Sequence, residues 1–225
     1  MNEHFIEIKK RIYNCLFFFT LIFFILFLYS EDLYTIIATP LLRHLPNGSN
    51  IIATSIMSPF IVPIKLCLFI TILINTPIII YNIWAFIVPG LYKKEKKLLI
   101  PIILTSCLFF YTGVIFSFLL VIPLTINFFS TCAPQGVTIM TEISSYLDFI
   151  TTISLLSGLI FQVPIITKIF IKFNIIKKKQ LQEKRRYIII FSFIIGMLLT
   201  PPDVLSQIIL AIPIWLLFEL GLLFS

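Results

Sequence analysis

Six long apolar stretches, separated by short polar or proline-containing segments, dominate the pattern of this 225-residue chain. A helix needs roughly 20 residues to cross a hydrocarbon core about 30 Å thick. On that criterion the pattern predicts spans at about 12–29, 59–83, 98–127, 146–170, 187–201 and 204–219. The predicted fold is therefore all-α: a polytopic membrane protein with six transmembrane helices in a single domain that covers residues 1–225.

The last two spans are predicted to form a short hairpin with a tight outer turn. Thr200-Pro201-Pro202-Asp203 separates them, and each proline restricts the residue before it and lacks a backbone N–H, so a turn is nearly forced. The fifth span is then about 14 residues, or about 21 Å, which is shorter than the hydrocarbon core. The alternative is a single long kinked helix, which would place the C-terminus on the opposite side of the membrane.

Lysine and arginine residues collect on alternate connections between the spans. Fifteen of the 17 lie before the first span, between the second and third spans, or at 168–186, and the exceptions are Arg43 and Lys65. Positively charged residues are retained on the cytoplasmic side of membrane proteins. The charge pattern therefore predicts that both termini and the loops 84–97 and 171–186 are cytoplasmic, in agreement with six crossings.

The composition excludes several other classes of protein. Apolar residues make up 59% of the chain and charged residues 12%, about half the charged share of a soluble domain. The net charge of +7 is divided into short blocks between apolar runs, so no nucleic-acid partner is predicted. The four cysteines show no paired spacing, which predicts neither a metal site nor a disulfide framework. The first apolar run is too long for a cleavable signal peptide and is predicted to be a retained span.

Polar groups inside the spans are costly in a bilayer and need separate interpretation. Gln162, two residues before Pro164, is a polar contact for another transmembrane helix, part of a route for a polar chain, or a partner in a simple interhelical hydrogen bond. Lys65 is expected to extend toward the outer interface, with an ion pair to Asp148 as the alternative.

Three further polar residues mark the ends of the last two spans. Asp203 and Gln207 are predicted at the outer turn, where Asp203 is a suitable N-cap for the sixth helix. Glu219 is predicted at the inner boundary of the membrane.

Two acids on the predicted cytoplasmic side are the candidates for a binding site. Glu95 lies among four lysines in the loop that follows Pro89-Gly90, and Glu7 precedes a basic cluster that ends at Arg11. Two carboxylates held together in a partly desolvated site favour a dication, and guanidinium groups bind carboxylates through two parallel hydrogen bonds. The pattern predicts recognition of paired arginines, unless Glu95 only balances the charge of a topogenic loop.

Motifs for catalysis and nucleotide binding are missing from the sequence, which contains no HExxH, no GxxxxGK[ST] and no ordered Ser, His and Asp set. His4 and His44 are isolated and are predicted on opposite sides of the membrane. We therefore predict that the chain is not an enzyme and uses no cofactor.

Several ordered motifs cover nearly the whole chain. They are His4 to Arg11, Ser58-Pro-Phe-Ile-Val-Pro-Ile-Lys65, Trp84 to Glu95, Ala133-Pro-Gln-Gly136, Phe161-Gln-Val-Pro164, and Gly196-Met-Leu-Leu-Thr-Pro-Pro-Asp-Val204 followed by Ser206-Gln207. Together they resemble the TatC family, the polytopic subunits of the twin-arginine protein translocase. The six spans and cytoplasmic termini of that family agree with the predicted topology.

The resemblance implies a receptor and translocase core in the bacterial inner membrane. It would bind twin-arginine signal peptides of folded precursors, assemble as a hetero- and homo-oligomer with single-span TatA- and TatB-type proteins, and use the proton motive force. The positions it assigns to the signal peptide are Glu7, Lys9, Phe86 and Glu95. The positions it assigns to a partner helix are Gln162, Met197, Thr200 and Gln207, and Pro40 and Asp203 match structural positions of the outer loops.

Two positions depart from the family pattern. Lys9 stands where the family commonly has arginine, which keeps the charge and loses the bidentate fork. Gln162 stands where the family often has glutamate, and an amide cannot titrate, so the resemblance extends no proton-linked role to it.

Two other functions remain open from the residues themselves. A six-span permease for a small solute would need several polar groups near the midplane, and Gln162 is the strongest candidate for one. A scaffold that only organises partner helices would suit the short fifth and sixth spans.

Overall fold

A computed structural model describes residues 2–33, 35, 51–53, 56–87, 99–131, 141–173, 175–199 and 204–223. Nearly all of these residues are helical. The helices are α1 (Asn2–Leu28), α2 (Ser58–Ile87), α3 (Leu99–Phe116), α4 (Ile122–Thr131), α5 (Ile143–Ile160), α6 (Val163–Lys172), α7 (Lys178–Glu183), α8 (Arg185–Leu199) and α9 (Val204–Leu223).

The helices correspond to the six predicted spans. Four helical stretches are long and apolar enough to cross a membrane, and they cover Lys9–Leu28, Ser58–Ala85, Ile100–Phe128 and Ile143–Lys172. The other two spans are α8 and α9, which are shorter in their apolar parts. With 15 residues, α8 is about 22 Å long, as the proline-rich turn predicted.

Two irregular features were not predicted from the pattern. A π-helical segment, Ser117–Val121, joins α3 to α4 within the third span. The strands β1 (Ile51–Ile52) and β2 (Thr141–Glu142) pair in parallel, a two-residue contact within a fold that is otherwise all-α as predicted. Two residues are too few to show the alternation by which a strand is recognised in a sequence.

The chain folds into two compact units. The first comprises Met1–Cys107 and Thr138–Thr151, and the second comprises Leu108–Val137 and Thr152–Ser225. Two of the three boundaries along the chain, 107/108 and 151/152, therefore fall inside α3 and α5.

In the first unit, α1 and α2 form an antiparallel pair. The thiol of Cys67 donates to the carbonyl oxygen of Leu26 at 3.5 Å, and the amide of Asn82 donates to the sulfur of Cys15 at 3.2 Å. Residue numbers thus rise along one helix as they fall along the other. Val62, Leu66 and Leu147 form a small buried core between α2 and α5.

In the second unit, small residues let α3 and α5 approach closely. A Cβ atom on Gly113 would lie 2.7 Å from the carbonyl oxygen of Ser157, and one on Gly158 would lie 2.7 Å from the ring of Phe110. Next to them, the fully buried hydroxyl groups of Ser117 and Ser154 are 3.1 Å apart. Close approach through small residues, with hydroxyl groups bonded between helices, is a common way to hold membrane helices together.

The last two helices form the predicted hairpin. The side-chain amide of Gln207 in α9 donates to the carbonyl oxygen of Phe193 in α8 at 3.1 Å. In one continuous helix these residues would lie about 21 Å apart along the axis. The alternative of a single kinked helix is therefore wrong.

Candidate functional site

The residues predicted to bind a peptide lie on α1, on α2 and in the connection that follows α2. Glu7 and Lys9 belong to α1, and Phe86 is in the last turn of α2. The side chains of Glu7 and Phe86, and the whole of Glu95, lie outside the described residues. The structure therefore gives the backbone position of two of these residues and the exposed side chain of Lys9.

The register of α1 against α2 puts these helix ends together. Asn82 contacts Cys15 across the pair. Glu7 precedes Cys15 by about 12 Å of helix, and Phe86 follows Asn82 by about 6 Å, at 1.5 Å per residue. Because the two helices are antiparallel, both offsets lead in the same direction. The backbone of Glu7 thus lies at the end of the pair where α2 continues into the connection that contains Glu95.

Trp84 holds the base of that connection. Its indole N–H donates to the hydroxyl oxygen of Ser106 at 3.2 Å, and both residues are buried. The bond joins the last turn of α2 to the middle of α3, and these are the helices on either side of residues 88–98. The tryptophan of the sequence motif is therefore a structural anchor of the candidate site.

Cations surround the start of α1. Lys9 and Lys10 are exposed, and Arg11 is half-buried and engaged in an interaction of its own.

The second group of predicted residues lies on the hairpin of α8 and α9. Met197 is 64% exposed, and Gln207 is half-buried and bonded to Phe193. Gly196 packs against α9, where an added Cβ would lie 3.2 Å from the carbonyl oxygen of Gln207. Thr200 and Asp203 lie outside the described residues, as does Pro40 in the first outer loop.

Gln162 lies at the break between α5 and α6. The helix is interrupted by the turn at Phe161 and Gln162, and the carbonyl oxygen of Gln162 accepts hydrogen bonds from the backbone N–H groups of Ile165 and Ile166. Pro164, which follows, is buried in the first turn of α6. The side chain of Gln162 is half-buried in this interrupted helix, where the sequence predicted a loosened turn.

Two ion pairs bear on the sequence analysis: one was left open there as an alternative, and the other was not predicted. The ammonium group of Lys65 lies 2.8 Å from both carboxylate oxygens of Asp148, so the pairing given as the alternative is the arrangement observed. Arg185, at the start of α8, lies 2.8 Å from the carboxylate of Glu219 in α9. Glu219 was predicted only as a boundary residue. The signal in the sequence for this ion pair was that Glu219 is an acid and the 168–186 cluster is basic.

Among the described residues, no group of three or more His, Cys, Asp or Glu side chains is placed to hold a metal ion. Cys15, Cys67 and Cys107 are free thiols, and Cys132 lies outside the described part of the chain.

Comparison with known proteins gives a consistent result. Residues 3–213 match the family model described as "Sec-independent protein translocase protein (TatC)". A Sec-independent protein translocase protein TatC of Haemophilus influenzae is 48% identical over 220 residues, which are 98% of this chain and 86% of that protein. The protein of the same name from Escherichia coli K12 is 42% identical over 222 residues, which are 99% of this chain and 86% of that protein.

A solved structure matches as well. A crystal structure described as the twin-arginine translocase receptor TatC superposes with a TM-score of 0.82 at 30% sequence identity. The match covers 98% of this chain and 97% of the solved chain, so it includes both compact units.

Proposed function

This chain belongs to the TatC family of Sec-independent protein translocase proteins, and we propose that it is the signal-peptide receptor of a twin-arginine translocase. It is a multi-pass bacterial membrane protein and a transport subunit of that translocase. The observation that carries the proposal is the match of both sequence and fold over nearly the entire chain.

The peptide site proposed for this chain is at the end of the α1 and α2 pair. Glu7 and Glu95 bind the paired arginines, with Phe86 beside them and Lys9 at the exposed rim. The antiparallel register supports this placement, because it brings the first turns of α1 to the end of α2 from which the Glu95 connection starts. Guanidinium forks bind carboxylates bidentately, which explains a preference for arginine over lysine.

The partner proposed for the α8 and α9 hairpin is the transmembrane helix of a TatA- or TatB-type protein. Met197 presents an exposed apolar side chain for it. One amide N–H of Gln207 donates to the carbonyl oxygen of Phe193. We propose that its amide oxygen and second N–H bind a polar side chain of the partner helix. Thr200 and Asp203 would complete this surface near the turn, and Gln162 is proposed to contact a partner helix from α6.

The energy source proposed for transport is the proton motive force. The Gln162 amide does not titrate, so we assign no proton-linked role to that position. We further propose that both termini are cytoplasmic and that the chain has no catalytic activity of its own. A small-solute permease is not supported by the relatives it matches.

The receptor proposal is tested by peptide binding to the purified chain in lipid nanodiscs. Glu95→Lys is expected to weaken binding of a fluorescent twin-arginine peptide at least tenfold, because it places a cation where the ligand cation binds. Glu183→Lys is the matched control: it is the same charge reversal at an exposed acid of α7, outside the proposed site.

A peptide with paired lysines is the matched ligand. The lysine peptide should bind the unmodified chain more weakly than the arginine peptide does. The two peptides should bind Glu95→Lys equally weakly. Equal binding of the arginine peptide by the Glu95→Lys and Glu183→Lys variants would refute the proposed site.

A further inference from the structure

A cavity of about 570 Å³ lies in the first unit, away from the proposed peptide site. It is a half-open cavity, lined by the end of α1 and the residues just after it, by the first turns of α2 and by the start of α5. The described residues that line it are Phe27, Ser30, Glu31, Thr35, Ala53, Pro59, Phe60, Val62, Pro63 and Ile143. The volume is in the range of about 300–1,000 Å³ that small-molecule sites occupy.

The lining has one apolar part and one polar part. The rings of Phe27 and Phe60, together with the prolines, Val62 and Ile143, form apolar walls. Ser30, Glu31 and Thr35 add hydroxyl groups and one carboxylate on a single stretch of chain. A ligand that fills this cavity must therefore be amphiphilic.

Among the residues that the structure describes, no cation pairs with the carboxylate of Glu31. It forms no ion pair or hydrogen bond with any residue that the structure describes, and its side chain is exposed. Lys65, in the next turn of α2 after Val62, is already bound to both oxygens of Asp148. The cavity thus offers an anionic group for a positively charged part of the ligand.

The size of the cavity excludes a transmembrane helix. One turn of helix, about 11 Å across and 5.4 Å long, fills roughly 500 Å³, so the cavity holds about a single turn. A flexible hydrocarbon chain has no such minimum width. In a membrane, the molecule that combines a hydrocarbon chain with an interfacial charged group is a phospholipid.

We propose that this cavity binds one phospholipid whose headgroup carries a primary ammonium group. The ammonium group pairs with Glu31, and one acyl chain lies between Phe27 and Phe60. A lipid with an anionic headgroup would bring its charge against the same carboxylate and is disfavoured. The proposal adds a lipid site to the translocase subunit and does not depend on where the signal peptide binds.

The test is native mass spectrometry of the full chain in detergent, with phosphatidylethanolamine and phosphatidylglycerol of identical acyl chains. The unmodified chain should bind one phosphatidylethanolamine about two- to fivefold more tightly than phosphatidylglycerol, a factor in keeping with an exposed charge pair. Glu31→Gln should abolish this preference. Asp32→Asn is the matched control, since the adjacent acid is not part of the lining, and it should keep the preference.

A second variant tests the cavity itself. Ala53→Trp should fill the opening and reduce occupancy by both lipids. Equal affinity for the two lipids in the unmodified chain, or an unchanged preference in Glu31→Gln, would overturn the proposal. Displacement of the bound lipid by a twin-arginine peptide would also overturn it, because the cavity would then be a peptide site.

Discussion

At the scale of single residues, the ion pair of Lys65 with Asp148 is the clearest test of polar pairing in the first unit. We expect Lys65→Gln to lower the stability of the protein by roughly 0.5 kcal/mol, because the side chains are 38% and 52% exposed and solvent screens such a pair. The measurement is thermal unfolding in detergent, followed by the fluorescence of Trp84 and Trp215. In a double-mutant cycle with Asp148→Asn, additive losses would show that the two side chains are not coupled.

The residue-scale contacts are the part of this protein that the sequence predicted least. Lys65 could be placed in a span from hydropathy, but its partner is 83 residues away. Asp148 was therefore only the alternative partner for Lys65, and Arg185 and Glu219, 34 residues apart, were not assigned to each other at all. Hydropathy gives the depth of a side chain in the membrane, whereas pairing depends on how helices rotate and pack against one another.

At the scale of the helices, the approach of α3 to α5 depends on glycine. Gly113→Ala would bring a methyl group within 2.7 Å of a backbone carbonyl oxygen, which a side-chain rotation cannot relieve. We expect a loss of about 1–3 kcal/mol in stability, as for other overpacked cores. The matched control is Thr112→Ala on the neighbouring residue, which is exposed and bonds only within its own helix at Phe109. Equal unfolding temperatures for the two variants would contradict this prediction.

The hairpin of α8 and α9 allows packing and partner contact to be separated at adjacent residues. Gly196→Val should separate the two helices and lower stability, because even a Cβ there would be 3.2 Å from the carbonyl oxygen of Gln207. Met197→Ala should leave stability nearly unchanged, since Met197 is 64% exposed. On the proposed function, it should instead weaken association with a TatB-type helix, measured by site-specific crosslinking. A large loss of stability in Met197→Ala would show that this side chain is part of the packing.

The helices were largely predictable because a bilayer imposes their length and composition. The four long apolar helices, the short helix α8 and the break at Gln162 and Pro164 follow from hydropathy and from proline chemistry. The π-helical turn at Ser117–Val121 was not predictable, since one extra residue in a turn leaves no periodic signal. The candidate peptide site was predicted from the charges of Glu7 and Glu95 and stays a prediction. The register of α1 with α2 places the backbone of Glu7 at the end of the pair from which the connection to Glu95 starts.

At the scale of the whole molecule, the predicted orientation of the chain decides which surfaces face the cytoplasm and which face outward. In a background with all four cysteines replaced by alanine, Asp32→Cys should react with a membrane-impermeant maleimide added to intact cells. Lys179→Cys should react only after the membrane is opened. Both positions are exposed, so a difference in labelling reports the side of the membrane and not burial. The physical reason is that 15 of the 17 cations lie on the connections assigned to the cytoplasm, and moving them across the bilayer is costly. The reverse labelling pattern would place Glu7 and Glu95 outside the cell, where they could not meet a signal peptide before export.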